Sequence, residues 1–352
     1  MHRMLIPVAL SAPPPSPVSQ GRVCRWAGDT MGTTWSVSAV LAPARDDAGV
    51  ERAETEYAEY AEYAISRGIE AVLDRVIAQM SNWAEASDVT RFNHADADTW
   101  VTLPEDCFTV LQAALQTARD SGGAYDPSAG PLVNLWGFGP HGRHGQRASA
   151  PSPDDVARVR ASCGWQRLEI DAAQRRVRQP GGASLDLCAI AKGFAVDAVS
   201  RHLDAQGIAH HLVEIGGELR GQGLKPDGMP WWVELESPSA DGMASTRTLV
   251  ALLGLSVATS GDYRRYFEQD GRRYAHTIDP RTGYPAAHAL ASVTVIHRDC
   301  MMADALSTAL TVLGPQAGMA FAERHALAAR FLVRTPHGFD ELTTPAFAAM
   351  LS

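Results

Sequence analysis

A chain of 352 residues with 45% hydrophobic and 20% charged side chains has room for one large α/β unit or two domains, and the composition of a globular protein with a sizeable core. Its formal net charge of −9 argues against a nucleic-acid binder or a polybasic membrane anchor, so an anionic ligand must be met locally, by a cation or by aimed backbone N–H groups. The five cysteines (Cys24, Cys107, Cys163, Cys188, Cys300) are widely spaced without a C-x-x-C pair, and the 12 histidines include no H-E-x-x-H; neither a disulfide framework nor a zinc site is suggested.

Residues 1–22 read as a disordered arm or the remnant of a signal, because the apolar run is short, Pro7 interrupts it and a Pro/Ser tail follows at 13–18. The remainder, 23–352, reads as a single domain. Trp26 to Val40 is rich in β-branched and aromatic residues and predicts a first strand. A polar loop covers 41–50, and the triplets Thr55-Glu-Tyr, Ala58-Glu-Tyr and Ala61-Glu-Tyr63 extend the helix that follows. In that helix Ile65, Ile69, Val72, Val76 and Met80, with Leu73 and Ile77, keep helical spacing. Trp83, just beyond, reads from composition as a core aromatic. A second helix spans about Glu105 to Asp120, and the Gly/Pro/aromatic segment 122–139 suggests a packed functional loop. His141 to Arg147 is a basic, glycine-rich loop, and Ser152-Pro-Asp-Asp155 starts a helix with a candidate cap.

Leu168–Ile170 and Arg176–Arg178 read as a hairpin, and the segment from Leu185 to Asp197 leads into a helix that ends near Gly207. His210–Ile215 is a strand closed by Gly216-Gly217, Trp231–Leu235 another, and Leu249–Leu255 a further apolar run. The segment Ala275-His-Thr-Ile-Asp-Pro-Arg-Thr-Gly-Tyr-Pro285 is rich in turn chemistry. After a strand at Ser292–Ile296, Ala303–Gly314 reads as a helix that puts Asp304, Ser307 and Thr308 on one face. That face suits a hard cation or a phosphate, or else Ser307 and Thr308 simply bond carbonyls one turn back. A last helix, Gln316–Ala329, and a closing strand, Phe331–Val333, follow. Strands and helices in irregular order predict an α+β fold with a mixed, largely antiparallel sheet. No P-loop or Rossmann fingerprint is present.

Eight stretches together resemble the ApbE family of FAD:protein FMN transferases over roughly residues 24–333. They are Met31-Gly-Thr33; Ser81-Asn-Trp83 with Ser87 to Asn93; Tyr125-Asp-Pro127 with Gly130 to Val133; Leu185-Asp-Leu187 with Lys192-Gly193; Ile215-Gly-Gly217; Thr259-Ser-Gly-Asp-Tyr263; His276 to Pro285; and Ala303 to Thr308. The resemblance implies an ApbE-like, T-fold-like architecture and a Mg²⁺-dependent enzyme. Such an enzyme cleaves FAD, moves its FMN half to a Thr or Ser hydroxyl of an acceptor protein, and releases AMP. It implies a metal site from the Ala189 carbonyl, Asp304 and Thr308, with FAD contacted by Met31, Trp83, Ala124, Tyr125, Asp126, Asp186, Lys192, Ile278 and Ser307.

Hard oxygen ligands suit Mg²⁺, and so few of them leave places for diphosphate oxygens. Lys192 adds positive charge, and Trp83 and Tyr125 are walls for a planar ring. His276 is the candidate general base, with Asp279 as its orienter or as a support of the turn. Two alternatives remain: a Mg²⁺-dependent diphosphatase giving free FMN and AMP, or an FAD carrier without turnover. Many members of the family are exported lipoproteins. Here no cysteine follows a clean signal and no run reaches membrane-span length, so the sequence reads as cytoplasmic, with a periplasmic or inner-membrane-associated location as the family-based alternative.

Overall fold

The computed structural model describes residues 2–10, 13–42, 51–140, 149–236, 247–262 and 265–351, without the side chains of residues 2 and 51–58. The expected loops at 41–50 (from residue 43) and 141–147, and Tyr263, lie outside the described residues.

Eight strands make the main sheet, in the order Gly338–Thr343, Ala328–Thr335, Leu290–His297, Leu255–Gly261, Glu218–Gln222, His211–Ile215, Thr33–Leu41 and Arg22–Thr30. Every neighbouring pair in it is antiparallel. One face carries the helices Ala191–Ala205 and Cys300–Arg324, backed by Glu51–Met80 and Glu105–Asp120. The other face packs Val40, Val257 and Ile296 against Trp231, Val250 and Leu252 of a small second sheet and against Phe347. Because both faces are covered, Leu290 to Ile296 are buried at every position, the polar Ser292 and Thr294 included, and burial does not alternate along the strand. The architecture is the expected α+β fold with mostly antiparallel sheets. The helix that begins at Glu51 buries Ile69, Val72, Leu73, Val76 and Met80, the face its spacing predicted.

Five sequence expectations change. Residues His2–Leu5 are not a disordered arm: they pair in parallel with Arg247–Leu252. Leu5 is 0% exposed, and the Ile6 N–H donates to the Met350 carbonyl at 2.8 Å. A buried leucine outweighs the weak local signal of the flanking prolines. Leu5→Ala is therefore expected to cost about 2–5 kcal/mol in denaturant unfolding; a change below about 0.5 kcal/mol would show that the strand adds little.

The single strand expected at 26–40 is a hairpin, turned by Met31 and Gly32 with φ of 48° and 71°, the positive pair that tight hairpin turns require. The apolar run from Leu249 is two strands, because Gly254 (φ 71°) breaks it and sends the chain from the small sheet into the large one. The last helix stops at Arg324 rather than Ala329, since Ala326 (φ 51°) turns the chain into the next strand; the strand Gly338–Thr343 and the helix Pro345–Ala348 follow, which the sequence reading had not placed. The expected stop at Gly314 is a kink with φ 77°, ahead of Pro315. All five cysteines are free. Among the described residues no helix is long and apolar enough to cross a membrane.

Candidate active site

Two helix starts cap each other. The Ala191–Ala205 helix has no side-chain cap of its own, and its Gly193 N–H donates to Asp304 Oδ2 at 3.0 Å. The Cys300–Arg324 helix also lacks a local cap bond; its Cys300 and Met301 N–H groups donate to Asp197 Oδ1 and Oδ2 at 3.1 and 2.9 Å. Each helix thus places a carboxylate on the other's positive end, satisfying donors that have no partner within the helix. The contact is close because residue 193 is glycine: a Cβ there would lie 2.3 Å from the Cys300 carbonyl oxygen and 2.8 Å from Asp304 Cβ.

Asp304 is 3% exposed, and burial pushes its carboxyl up, against the Lys192 charge and the Gly193 N–H. Lys192 Nζ lies 2.5 Å from Glu218 Oε1. Burial acts to lower the pKa of this ammonium, but Asp304 and Glu218 together outweigh it and hold the group protonated. Burial raises Glu218, Lys192 opposes, and Glu218 Oε2 has no hydrogen-bond partner.

Ser307 Oγ donates to the Asp304 carbonyl at 2.9 Å, so the backbone-bonded alternative holds for this residue. Thr308 differs: its Oγ1 meets Ser260 Oγ at 3.1 Å, and Ser260 Oγ meets Ser307 Oγ at 2.7 Å. Each hydroxyl has one proton, and Ser307 gives its own to a carbonyl. Only one arrangement puts a proton in every contact: Thr308 donates to Ser260 and Ser260 to Ser307. The Thr308 oxygen then keeps lone pairs available to a cation.

The loop around 124–130 is tied to this centre by the Asp186 N–H, which donates to the Pro127 carbonyl at 2.8 Å. Ala124 and Tyr125 are buried, and the Tyr125 hydroxyl has no hydrogen-bond partner. Burial raises that phenol strongly, and the charges of Asp304 and Asp186 add to the effect, which sets the three in one neighbourhood. Asp126 spends its carboxylate inside the loop, accepting from Ser128 N–H and Oγ–H and from the Trp165 N–H. Asp186 Oδ1 accepts from the Cys188 N–H at 2.9 Å, which shapes the turn that carries half-buried Ala189. Trp83 is 49% exposed, so it is not a core aromatic. Met31 stands at its hairpin tip, half-buried against the main core. Ile278 buries its side chain among Leu132, Trp136 and Val156, leaving its backbone for any ligand contact.

The His276 Nδ1 and backbone N–H both face the Arg265 carbonyl, each at 3.1 Å. A carbonyl only accepts, so Nδ1 carries the proton and Nε2 keeps its lone pair. Burial lowers the pKa of this imidazole, and the Arg265 charge lowers it further; the Lys192 charge also reaches it. Asp279 does not orient His276. Its carboxylate is held by Arg281, and its carbonyl accepts the Thr282 and Gly283 N–H groups, so it supports the turn. The orienter is the Arg265 carbonyl.

The structure thus brings Asp304 to the helix start that carries Lys192, and Ser307 and Thr308 to Ser260, with Tyr125 and His276 within electrostatic reach of these charges. Sequence reasoning missed Glu218, although it directly follows the Gly216-Gly217 turn, and missed Asp197 and the hydroxyl role of Ser260. Among the described residues no three His, Cys, Asp or Glu side chains converge as a metal cage. Two buried carboxyls against one ammonium would leave a net negative charge out of water if both were ionised; burial raises both, so the excess is relieved either by a proton or by a cation. The oxygen donors of Asp304, Thr308 and Ala189 fit a hard divalent ion.

A profile described as the ApbE family matches residues 31–331. The FAD:protein FMN transferase of Vibrio cholerae is 38% identical over 92% of this chain and 92% of its own length, and that of Escherichia coli K12 is 32% identical over 96% and 92%. The crystal structure of the Pseudomonas stutzeri flavinyl transferase ApbE, in its apo form, superposes with a TM-score of 0.82 at 41% identity, covering 94% of this chain and 97% of that one. With a profile match across most of its length and relatives this similar, the chain belongs to the ApbE family.

Proposed function

We propose that this enzyme is a transferase that moves the FMN moiety of FAD to a Thr or Ser hydroxyl of an acceptor protein, releasing AMP in a Mg²⁺-dependent reaction. The observation that supports the reading is that Asp304, on the same helix face as Thr308, caps the helix start that carries Lys192, with a histidine in reach of the Lys192 charge whose Nδ1 is committed to a carbonyl. Asp304, Thr308 and the Ala189 carbonyl would hold the metal, which when bound neutralises charge on the diphosphate. Lys192 offers its ammonium to the same phosphates. Exposed Trp83 offers a ring face to FAD, whereas Tyr125 and its hydroxyl are buried. In the transfer, the acceptor oxygen bonds the FMN phosphorus, the bond to the AMP phosphate breaks, and His276 Nε2 takes the hydroxyl proton.

Incubation with FAD, Mg²⁺ and a candidate acceptor domain is expected to leave a covalent FMN mass on a Thr or Ser. FMN found only free in solution would instead support the diphosphatase, and bound FAD without AMP release the carrier. The acceptor identity sets where to look; AMP release sets whether the chemistry occurs.

His276 also gives a pH test. Because burial lowers its pKa, the base form persists below the ordinary value of about 6.5. The acid limb of kcat/KM should therefore fall below pH 6.5, and His276→Gln should erase that limb and slow turnover by about 10²–10⁴-fold. A limb at or above 6.5, or one that survives the substitution, would assign the base elsewhere.

A further inference from the structure

We propose that Glu218 is a positioning residue that holds the Lys192 ammonium away from Asp304, keeping the Asp304 carboxylate available to a divalent cation; this deepens the metal reading above and rests on it. Two acids compete for one buried cation, and Lys192 feels both. The contact actually made is with Glu218, Nζ to Oε1 at 2.5 Å. Asp304 instead uses Oδ2 on the Gly193 N–H.

The placement of Glu218 is rigid. It follows Gly216 and Gly217, whose φ values of 62° and 99° turn the chain so that it enters the sheet, and its strand lies between two others. Two residues along the same strand, Arg220 repeats the arrangement with reversed charge: its Nη1 donates to Asp197 Oδ1 at 3.0 Å, behind the carboxylate that caps the Cys300–Arg324 helix. One strand thus braces two charged residues of the Ala191–Ala205 helix, Lys192 through Glu218 and Asp197 through Arg220. Glu218 Oε2 is buried without a hydrogen-bond partner, and among the described residues the side chain that pairs with the acid is Lys192.

Without the Glu218 charge, Lys192 is left with Asp304 as its counter-ion, and an incoming cation must displace it. Mn²⁺ binding to the full chain without FAD, followed by electron paramagnetic resonance, tests this directly. Glu218→Gln is expected to weaken Mn²⁺ binding by about tenfold or more, while Lys192→Met binds at least as tightly as the parent. The decisive variant is the double substitution Glu218→Gln with Lys192→Met, which should recover the affinity of Lys192→Met because the competitor is gone. Parent-like binding by Glu218→Gln, or a double variant as weak as Glu218→Gln, overturns the proposal and leaves the metal reading standing. A parent protein that binds no Mn²⁺ overturns the metal reading, and this proposal with it.

Discussion

Gly193→Ala is expected to disable the protein while adding a single methyl group. The new Cβ would sit 2.3 Å from the Cys300 oxygen, 2.7 Å from its carbonyl carbon and 2.8 Å from Asp304 Cβ. Two of these neighbours are backbone at a helix start, which has no rotamer to yield. Alanine gains about 1 kcal/mol over glycine in helix propensity, but forced overpacking costs about 1–3 kcal/mol or more, so the net change runs from near zero to a destabilisation of about 2 kcal/mol or more. The larger effect is on the site. If the helices separate, the Gly193 N–H loses Asp304 Oδ2, and the row Asp304, Ser307 and Thr308 shifts relative to Lys192. A displacement near 1 Å is worth about a hundredfold in rate. AMP release measured beside thermal unfolding should show a rate loss far exceeding the fall in Tm. Parent-like turnover would mean that the helix pair does not set the site.

Asp304→Asn should separate the catalytic charge from its structural service. Asparagine keeps an oxygen for the Gly193 N–H, so the helix cap survives, and Lys192 retains Glu218. Burial already works against the Asp304 charge, so its removal brings little loss of stability. On the proposed reading a metal at this face would lose its anionic ligand, an effect of several kcal/mol, or about a thousandfold or more in turnover. The expected result is a near-parental Tm with almost no Mg²⁺-dependent AMP release. Asp304→Ala is the control: it also strips the acceptor from Gly193 and should lower Tm. Substantial Mg²⁺-dependent turnover by Asp304→Asn would place the metal elsewhere.

Much of the chemistry was legible along the chain because it lies within single elements. Asp304, Ser307 and Thr308 share a helix face by periodicity, and His276 and Asp279 announce themselves beside an Asp-Pro turn. Periodicity could not say what those hydroxyls face. Ser307 proved to be bonded back to its own helix, whereas Thr308 is directed by Ser260, 48 residues away in a neighbouring strand. Asp279 looked like a partner for His276 from its proximity in sequence, yet Arg281, two residues on, takes its carboxylate, and a backbone carbonyl orients the imidazole.

The sequence by itself determined the periodic and punctuated parts of this protein: the helix faces at 65–80 and 303–308, the glycine turns, the α+β class, and the motif set that marks the family. Those signals are local, since propensity and side-chain period act over a few residues. The tertiary structure decided which element satisfies which. It put Leu5 into a core far along the chain, set Asp304 and Asp197 as caps on each other's helices, and brought Glu218 against Lys192. Each of these is a contact between residues brought together by sheet order and helix packing, where burial and charge compensation act through space and leave no periodic trace in the sequence.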